Sequence, residues 1–125
     1  MNAQDVGKKL VSLCREGKNA EAIDLLYSKD IVSLEAFVPP PMPLEVRGLE
    51  AVKGKGKWWF DNHTIHSAKI EGPFPNGDRF IVQFNYDLTA KASGQRFSME
   101  EMALYEVQNG KIVREAFFYT TGGAA

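Results

Sequence analysis

Three glutamates lie on predicted strand faces that are otherwise apolar. Glu101 interrupts one face, Glu115 interrupts the face of the next strand, and Glu35 shares a face with Ser33 and Phe37. A buried charge is costly unless it is paired. Because several carboxyls in one apolar pocket cannot all stay ionised, at least one pKa should rise. A carboxyl with a raised pKa suits general acid–base catalysis near neutral pH.

These glutamates also have a structural interpretation that the sequence leaves open. Glu101 could form an internal ion pair, since carboxyls with shifted pKa values also occur in structural networks. A one-residue shift of the hairpin at residues 109–110 would turn Glu115 outward. The candidate partners of Glu101 are Arg47, Arg79 and Arg114.

A histidine is the next candidate for proton transfer. His66 alternates with Ala68 and Ile70, so we expect it on their inward face, and its ordinary pKa of about 6.5 suits a proton shuttle. The alternative is a rim histidine held by one hydrogen bond. His63 is three residues away, which on a strand places it on the opposite face, so we predict no metal site. We expect no cofactor.

We therefore predict Glu35, His66 and Glu101 as catalytic residues, with Glu35 as the general base. Aromatic and polar side chains around them should contact a small, largely apolar ligand, although such aromatics are more often core residues with a satisfied polar tip. The predicted ligand-binding residues are Tyr27, Trp59, Phe84, Tyr86, Met99, Glu115, Phe117 and Tyr119. Trp59 and Phe60 should roof the cavity, and the lysines of residues 53–59 should form a solvated helix side.

The first half of the chain must position these residues from helices. Apolar residues at positions 6, 10, 13 and 14 form one helix face, which Gly17 ends. Asn19 can cap a second helix whose buried side includes Tyr27. A short strand spans residues 31–37, a proline-rich lip follows, and a third helix starts after Gly48 with Trp59 on its apolar stripe.

The second half of the chain is typical of an antiparallel sheet. Strands are predicted over residues 64–71, 79–91, 95–107 and 111–119, and Asn109-Gly110 is a strong hairpin signal. Helices followed by a meander indicate an α+β fold. We expect the long strands to curl around the three helices and form a cone-shaped antiparallel sheet with a cavity inside.

The order of these elements resembles the nuclear transport factor 2-like superfamily, and within it a SnoaL-like domain similar to ketosteroid isomerase. The residues that carry the resemblance are Gly17-Lys18-Asn19, residues 26–30, Trp58-Trp59 in the helix after Gly48, and residues 105–112. The resemblance covers nearly the whole chain. It implies a cystatin-like α+β barrel, a deep apolar pocket and homodimerisation through the outer sheet face.

The resemblance also bears on the reaction. Glu35 falls where ketosteroid isomerase carries its general-base aspartate. The positions that match its oxyanion donors are Leu10 and Ala103, which cannot donate a side-chain hydrogen bond. Because losing one such donor typically costs about 10²–10³ in rate, we do not expect steroid isomerase activity. The predicted alternative donors are Tyr27, Trp59, His66 and Tyr119.

Composition limits the remaining possibilities. The chain has 125 residues and is interpreted as one domain over residues 1–125, ordered from about 3 to 120, with residues 121–125 frayed. A net charge of −1 argues against nucleic acid, and no apolar run is long enough to cross a membrane. The lone Cys14 favours a reducing, cytoplasmic location.

Two hypotheses remain open. The first is a cofactor-independent isomerase, cyclase or lyase acting on a small apolar molecule. The second is a non-catalytic binding or interaction module that dimerises through an apolar sheet patch with Met102 and Leu104. A cavity of about 300 Å³ or more lined by Glu35, His66 and Glu101 would favour the first hypothesis. The same groups tied in ion pairs would favour the second.

Overall fold

Helices and strands follow one another along the chain in the predicted order. The structure is a computed structural model and describes residues 1–38, 41 and 43–120. The elements are α1 (Ala3–Arg15), α2 (Asn19–Leu26), β1 (Tyr27–Leu34), β2 (Glu45–Arg47), α3 (Leu49–Asp61), β3 (His63–Asn76), β4 (Arg79–Ala90), β5 (Arg96–Gln108) and β6 (Lys111–Phe118). The expected frayed tail at 121–125 and three of the lip residues (39, 40 and 42) lie outside the described residues.

The strands form one sheet in the order β2-β1-β6-β5-β4-β3. Strands β3 to β6 make the predicted antiparallel meander. Strand β1 pairs antiparallel with β2 but parallel with β6, so the sheet is mixed rather than wholly antiparallel. It is open, with β2 and β3 at its edges. The three helices pack on this sheet, which confirms the α+β fold.

The predicted apolar stripe holds α1 on the sheet. Val6, Leu10, Leu13 and Cys14 are all buried. The helix ends just before Gly17, whose φ of 73° is readily adopted only without a Cβ atom. At its other end, the Asn2 side chain accepts a hydrogen bond of 2.9 Å from the backbone amide of Asp5.

The boundary between α2 and β1 differs from the prediction at two residues. Asn19 is the first residue of α2 rather than its cap, and Lys18 takes the capping position. Tyr27 begins β1 instead of lying on α2, because its backbone is extended (φ −89°, ψ 142°). Its side chain is buried all the same. The short strand β2 was not predicted.

Alternation along β4 and β5 places one face of the sheet against the helices. The inward side chains of β4 are buried from Phe80 to Leu88, and those of β5 are buried from Ala103 onward. Phe97, Met99 and Glu101, which face inward near the start of β5, remain partly exposed. The helix-facing interior is therefore open to solvent at this end of β5, a region we call the mouth. In the described residues, no helix is long and apolar enough to cross a membrane.

Candidate functional site

The innermost group of the candidate site is the carboxyl of Glu115, which is only 3% exposed. The Tyr27 hydroxyl donates a hydrogen bond to its Oε1 atom. The Ser33 hydroxyl donates to its Oε2 atom at 2.6 Å. Parallel pairing of β1 with β6 places Ser33 directly beside Glu115. Glu115 is therefore buried, and both of its carboxyl oxygens already accept hydrogen bonds. For these two reasons it is not available to a ligand at the mouth.

A lysine of α3 connects this buried group to the mouth. Lys55 Nζ donates to Ser33 Oγ at 2.6 Å and forms an ion pair of 2.7 Å with Glu35 Oε1. The side chains of Lys55 and Glu35 are 21% and 18% exposed. The Tyr119 hydroxyl donates to Glu35 Oε2 at 2.8 Å, and the Lys55 ammonium lies 5.1 Å from the centre of the Phe117 ring. A continuous polar chain thus runs from Glu115 to the mouth.

The remaining inward carboxyl belongs to Glu101, beside Phe84 on β4. Burial raises its pKa to about 8, with further contributions from the charges of Glu35 and Glu115, and Lys55 opposes the shift. In the described residues Glu101 forms no ion pair with any of the predicted partners Arg47, Arg79 and Arg114. Arg47 pairs with Glu45 instead, and Arg114 pairs with Glu106. Within the described part of the chain, no hydrogen bond engages its carboxyl, so Glu101 can carry a proton at neutral pH and present it at the mouth.

The hydroxyl of Tyr27 and the thiol of Cys14 keep their protons, whereas two opposing effects act on the carboxyl of Glu115. Burial, reinforced by the charge of Glu115, raises the pKa of Tyr27 and raises that of the Cys14 thiol to about 12. Burial also raises the pKa of Glu115, while the hydrogen bonds from Ser33 and Tyr27 lower it. The opposing effects arise because hydroxyl donors favour the ionised carboxyl and loss of water disfavours it.

The prediction that His66 faces inward is wrong. Its side chain is exposed, and Nε2 lies 2.7 Å from the Thr89 hydroxyl on the outer face. The cause is a β-bulge, since the pairing of β3 with β4 shifts register between Ile65 and Ser67. The extra residue reverses the alternation, so Ala68 and Ile70 face inward while His66 does not. It is His63 that faces inward, stacked on Trp59 with ring centres 4.8 Å apart.

A second bulge explains why Glu115 faces inward. The pairing of β5 with β6 shifts register between Glu106 and Val107. Beyond the shift, Glu115 lies opposite Tyr105, a buried inward residue. The predicted inward face of β6 is therefore right for Glu115 and Phe117, whereas Ile112, predicted on the other face, is also fully buried.

The predicted ligand-binding residues divide into two groups by depth. Phe84 and Tyr86 are buried core residues, like Tyr27 and Glu115. Partly exposed side chains that can contact a ligand at the mouth are Trp59, Met99, Phe117 and Tyr119. Trp59 contacts Tyr86 with ring centres 5.3 Å apart, and the exposed Phe60 does not roof the interior as expected.

Sequence reasoning missed Lys55. The lysines of residues 53–59 were expected on a solvated side of the helix. This prediction holds for Lys53 and Lys57, which form ion pairs with Asp24 and Asp61 at the surface. Lys55 follows the buried Val52 by three residues and precedes Trp59 by four. That spacing places it on the inward stripe of α3 and could have identified it.

Two surface concavities lie largely outside the mouth. One of about 540 Å³ is lined mainly by outer-face polar residues of β3, β4 and β5, together with Tyr86 and Met99, and another of about 410 Å³ lies between α1 and the Gly72-Pro73 segment. Neither is lined by Glu35, His66 and Glu101. In the described portion of the chain, no three His, Cys, Asp or Glu side chains are placed to share a metal ion.

The chemistry available at the mouth is proton transfer. Glu35 is a carboxylate held by Lys55 and Tyr119, and Glu101 is close enough for the charge of Glu35 to raise its pKa. An ion-paired carboxyl beside a carboxyl with a raised pKa is an arrangement that suits general acid–base chemistry.

Comparison with known families supports a specific assignment of the fold. The profile of the SnoaL-like domain family matches residues 1–119. A crystal structure from Mesorhizobium loti, provisionally named a SnoaL-like polyketide cyclase [carbohydrate phosphatase], is 40% identical with a TM-score of 0.89. The match covers 95% of this chain and 100% of that one. No protein of curated function matches.

More distant solved structures share the fold. A nuclear transport factor 2-like protein from Burkholderia thailandensis is 18% identical with a TM-score of 0.80, covering 98% of this chain and 94% of that one. A protein from Bacillus subtilis provisionally named an isomerase is 17% identical with a TM-score of 0.78, covering 96% and 90%. At these identities the likeness concerns the fold alone.

Proposed function

From the premise that this chain belongs to the SnoaL-like domain family, we propose that it binds a small, largely apolar carbonyl compound at the mouth and moves a proton on it without a cofactor. The observation that carries the proposal is the pair formed by Glu35 and Glu101. One carboxyl is held by a lysine and a tyrosine, while the other has a pKa near 8 and no described partner. Partly exposed apolar side chains beside the pair suit an apolar ligand.

The proposed reaction is a proton shift along an enolisable carbonyl compound. The Glu35 carboxylate removes a proton from the carbon next to the carbonyl group, and Glu101 donates its proton to the carbonyl oxygen. The resulting enol takes the proton back from Glu35 at another carbon and returns the oxygen-bound proton to Glu101. Every proton is recovered, so the net change is an isomerisation. The names of the similar cyclase and isomerase structures agree with this class of chemistry.

The test is hydrogen–deuterium exchange at the activated carbon. The wild-type protein in D₂O is mixed with a panel of apolar cyclic enones and 1,3-diketones, and loss of the α-proton signal is followed by NMR. We expect Glu35→Gln to lower the exchange rate by at least about 10²-fold, because a general base typically contributes 10²–10⁴. The control is Glu45→Gln at an exposed glutamate of β2, which should exchange like the wild type. Equal rates for Glu35→Gln and the wild type would exclude Glu35 as the base.

A second candidate function is an interaction module, and two observations favour it. The ion pair between Glu35 and Lys55 is what a structural network would contain. In addition, the outer face of the sheet has an apolar row that the strand register makes continuous across five strands. Its members are Phe74, Ile81, Leu104, Ala116 and Leu34.

We propose that this row binds a second copy of the chain, under either candidate function. Met102 and Phe118 extend the row on one side. On the other side lies a charged row of Arg79, Glu106 and Arg114. Since a two-fold axis brings the same patch of both copies together, the apolar row of one copy would cover the apolar row of the other. A cytoplasmic location, suggested by the lone buried Cys14, also stays a prediction.

A further inference from the structure

The Lys55 ammonium uses only part of its hydrogen-bonding capacity. An ammonium group has three N–H donors. Within residues 1–38, 41 and 43–120, two of them are engaged, one by Ser33 Oγ and one by Glu35 Oε1. One donor is therefore left for a ligand. The position of this donor is partly buried, next to the Phe117 ring and near the Glu101 carboxyl, whose pKa Lys55 lowers.

The direction of the hydrogen bonds shows what holds this ammonium in place. Lys55 has no acceptor atom, so the Ser33 oxygen must accept from it, and the Ser33 hydrogen must then point to Glu115. Tyr27 donates to the other oxygen of Glu115 and keeps its proton, because burial raises its pKa. The hydroxyls of Ser33 and Tyr27 both donate to Glu115, which favours its ionised form against the opposing effect of burial. Glu115 therefore acts on the ammonium through Ser33.

The proposed proton shift needs a donor of this kind. Removing a proton beside a carbonyl group places negative charge on the carbonyl oxygen, and a preorganised donor there is usually worth a large factor in rate. Leu10 and Ala103 cannot supply it. Of the four predicted substitutes, Tyr27 and Tyr119 already donate to glutamates, and His66 faces the outer surface. The fourth, Trp59, is a neutral donor, whereas Lys55 also supplies a positive charge.

We propose that Lys55 is the catalytic residue that binds the substrate oxygen and stabilises its negative charge, and that Ser33 and Glu115 are positioning residues for its ammonium. The inference rests on the proposed function and specifies the substrate class. The site takes compounds whose oxygen is anionic or becomes a delocalised oxyanion, such as 1,3-dicarbonyl compounds and phenols. Lys55 and the protonated Glu101 then contact the same oxygen.

The experiment measures anion recognition without requiring turnover. The probe is 4-nitrophenol, whose anion absorbs visible light and whose neutral form does not. Titrating protein with the probe at several pH values gives the affinity for each form and the pKa of the bound phenol. We expect the wild type to bind the anion preferentially and to lower the pKa of the bound phenol by about 1–3 units, as a nearby opposite charge does.

Two variants remove the charge of Lys55 with different side chains, so the conclusion does not depend on a single substitution. Lys55→Met and Lys55→Gln should each lose about 10- to 100-fold in affinity for the anion, the range for a hydrogen bond from a charged group, while affinity for the neutral phenol changes little. The matched control is Lys57→Met, an exposed lysine on the same helix, which should behave like the wild type. Circular dichroism of each variant checks folding.

The positioning role has its own readout. Ser33→Ala keeps the lysine but removes its link to Glu115, so we expect a pKa of the bound phenol between those of the wild type and Lys55→Gln. A merely structural serine would weaken binding of phenol and anion equally and leave that pKa unchanged, which would overturn the positioning role.

The outcomes separate this inference from the proposed reaction. Loss of anion preference in Lys55→Gln supports the inference even if the wild type exchanges no α-proton, in which case only the proton shift fails. A wild type that shows no preference for the anion, or a Lys55→Gln variant that retains it, would overturn the role of Lys55.

Discussion

Glu100 and Glu101 are adjacent residues of β5 that face opposite sides of the sheet. Glu100 lies on the outer face, where the side-chain amide of Gln83 donates to it at 2.9 Å. Glu101 lies on the inner face, where burial is the main cause of its raised pKa. The same side chain is thus a surface group at one position and a buried carboxyl with a raised pKa at the next. Alternation along the strand, rather than residue type, decides the difference.

The raised pKa of Glu101 predicts how stability depends on pH. The unfolded chain ionises at the ordinary value of 4.5, whereas the folded protein holds this proton up to about pH 8. Between these values the unfolded state binds fewer protons, so Glu101 lowers the free energy of unfolding as the pH rises. Below pH 4.5 the Glu101 carboxyl is protonated in both the folded and the unfolded state. Above about pH 8 it is ionised in both, so its effect on the free energy of unfolding no longer changes with pH.

We therefore expect the difference in the free energy of unfolding between Glu101→Gln and the wild type to shift in favour of the variant as the pH rises from about 5 to 8. The measurement is urea denaturation of both proteins at several pH values across this window. Glu100→Gln is the control, and its difference from the wild type should change little with pH. A Glu101→Gln difference that is the same at both ends of the window would show that the folded pKa is ordinary.

At the scale of elements, the close contact of α1 with the sheet depends on a helical glycine. A Cβ atom on Gly7 would lie 2.7 Å from Pro73 Cβ and 3.1 Å from Phe80 Cδ2. Gly54 in α3 is a contrasting case, because a Cβ atom there would meet nothing within 4 Å. Alanine substitutions at these two positions therefore distinguish the effect of helix propensity from the effect of packing.

The two alanine substitutions should change stability in opposite directions. Gly54→Ala should stabilise the protein by about 0.4–1 kcal/mol, because alanine restricts the unfolded chain and favours the helix. Gly7→Ala gains the same propensity, but overpacking typically costs about 1–3 kcal/mol, so we expect net destabilisation. Urea denaturation at neutral pH measures both values. A Gly7→Ala protein as stable as Gly54→Ala would mean that α1 can move away from β3 at little cost.

At the scale of the whole molecule, the two faces of the sheet carry different kinds of residues. The inner face carries the core and the candidate site. The outer face carries the apolar row, on which Phe74 is 55% exposed, and Phe118 beside it is 56% exposed. Large exposed apolar side chains in a contiguous patch are typical of interaction surfaces. The proposed dimer would cover them without obstructing the mouth, which opens on the helix-facing side.

Leu104→Lys tests the dimer, because it places a charge in the middle of the apolar row. Sedimentation velocity at micromolar concentration should show a dimer for the wild type and a monomer for this variant, with unchanged circular dichroism. Asn85→Lys, on the polar part of the same face, is the matched control and should remain dimeric. A monomeric wild type, or a dimeric Leu104→Lys, would contradict the proposed interface.

Much of the fold could be predicted from the sequence because its signals are local. Period-two alternation correctly assigned the inner and outer faces of β4 and β5, and the helical stripe of α1 identified its buried side. The same alternation predicted that Glu35, Glu101 and Glu115 lie on the inner face. Local periodicity is reliable wherever the backbone keeps one regular conformation.

The tertiary structure decided what depends on contacts between distant segments. A bulge turned His66 outward, and another fixed the register that keeps Glu115 inward. Lys55 entered the site because α3 packs on β1, which places its ammonium between Ser33 and Glu35. Strand register, bulges and helix docking are settled by the packing of the whole interior. The sequence by itself therefore identified which acids are candidates for the inner face, and only the assembled fold determined their orientation, which of them are paired, and which one is buried with a raised pKa.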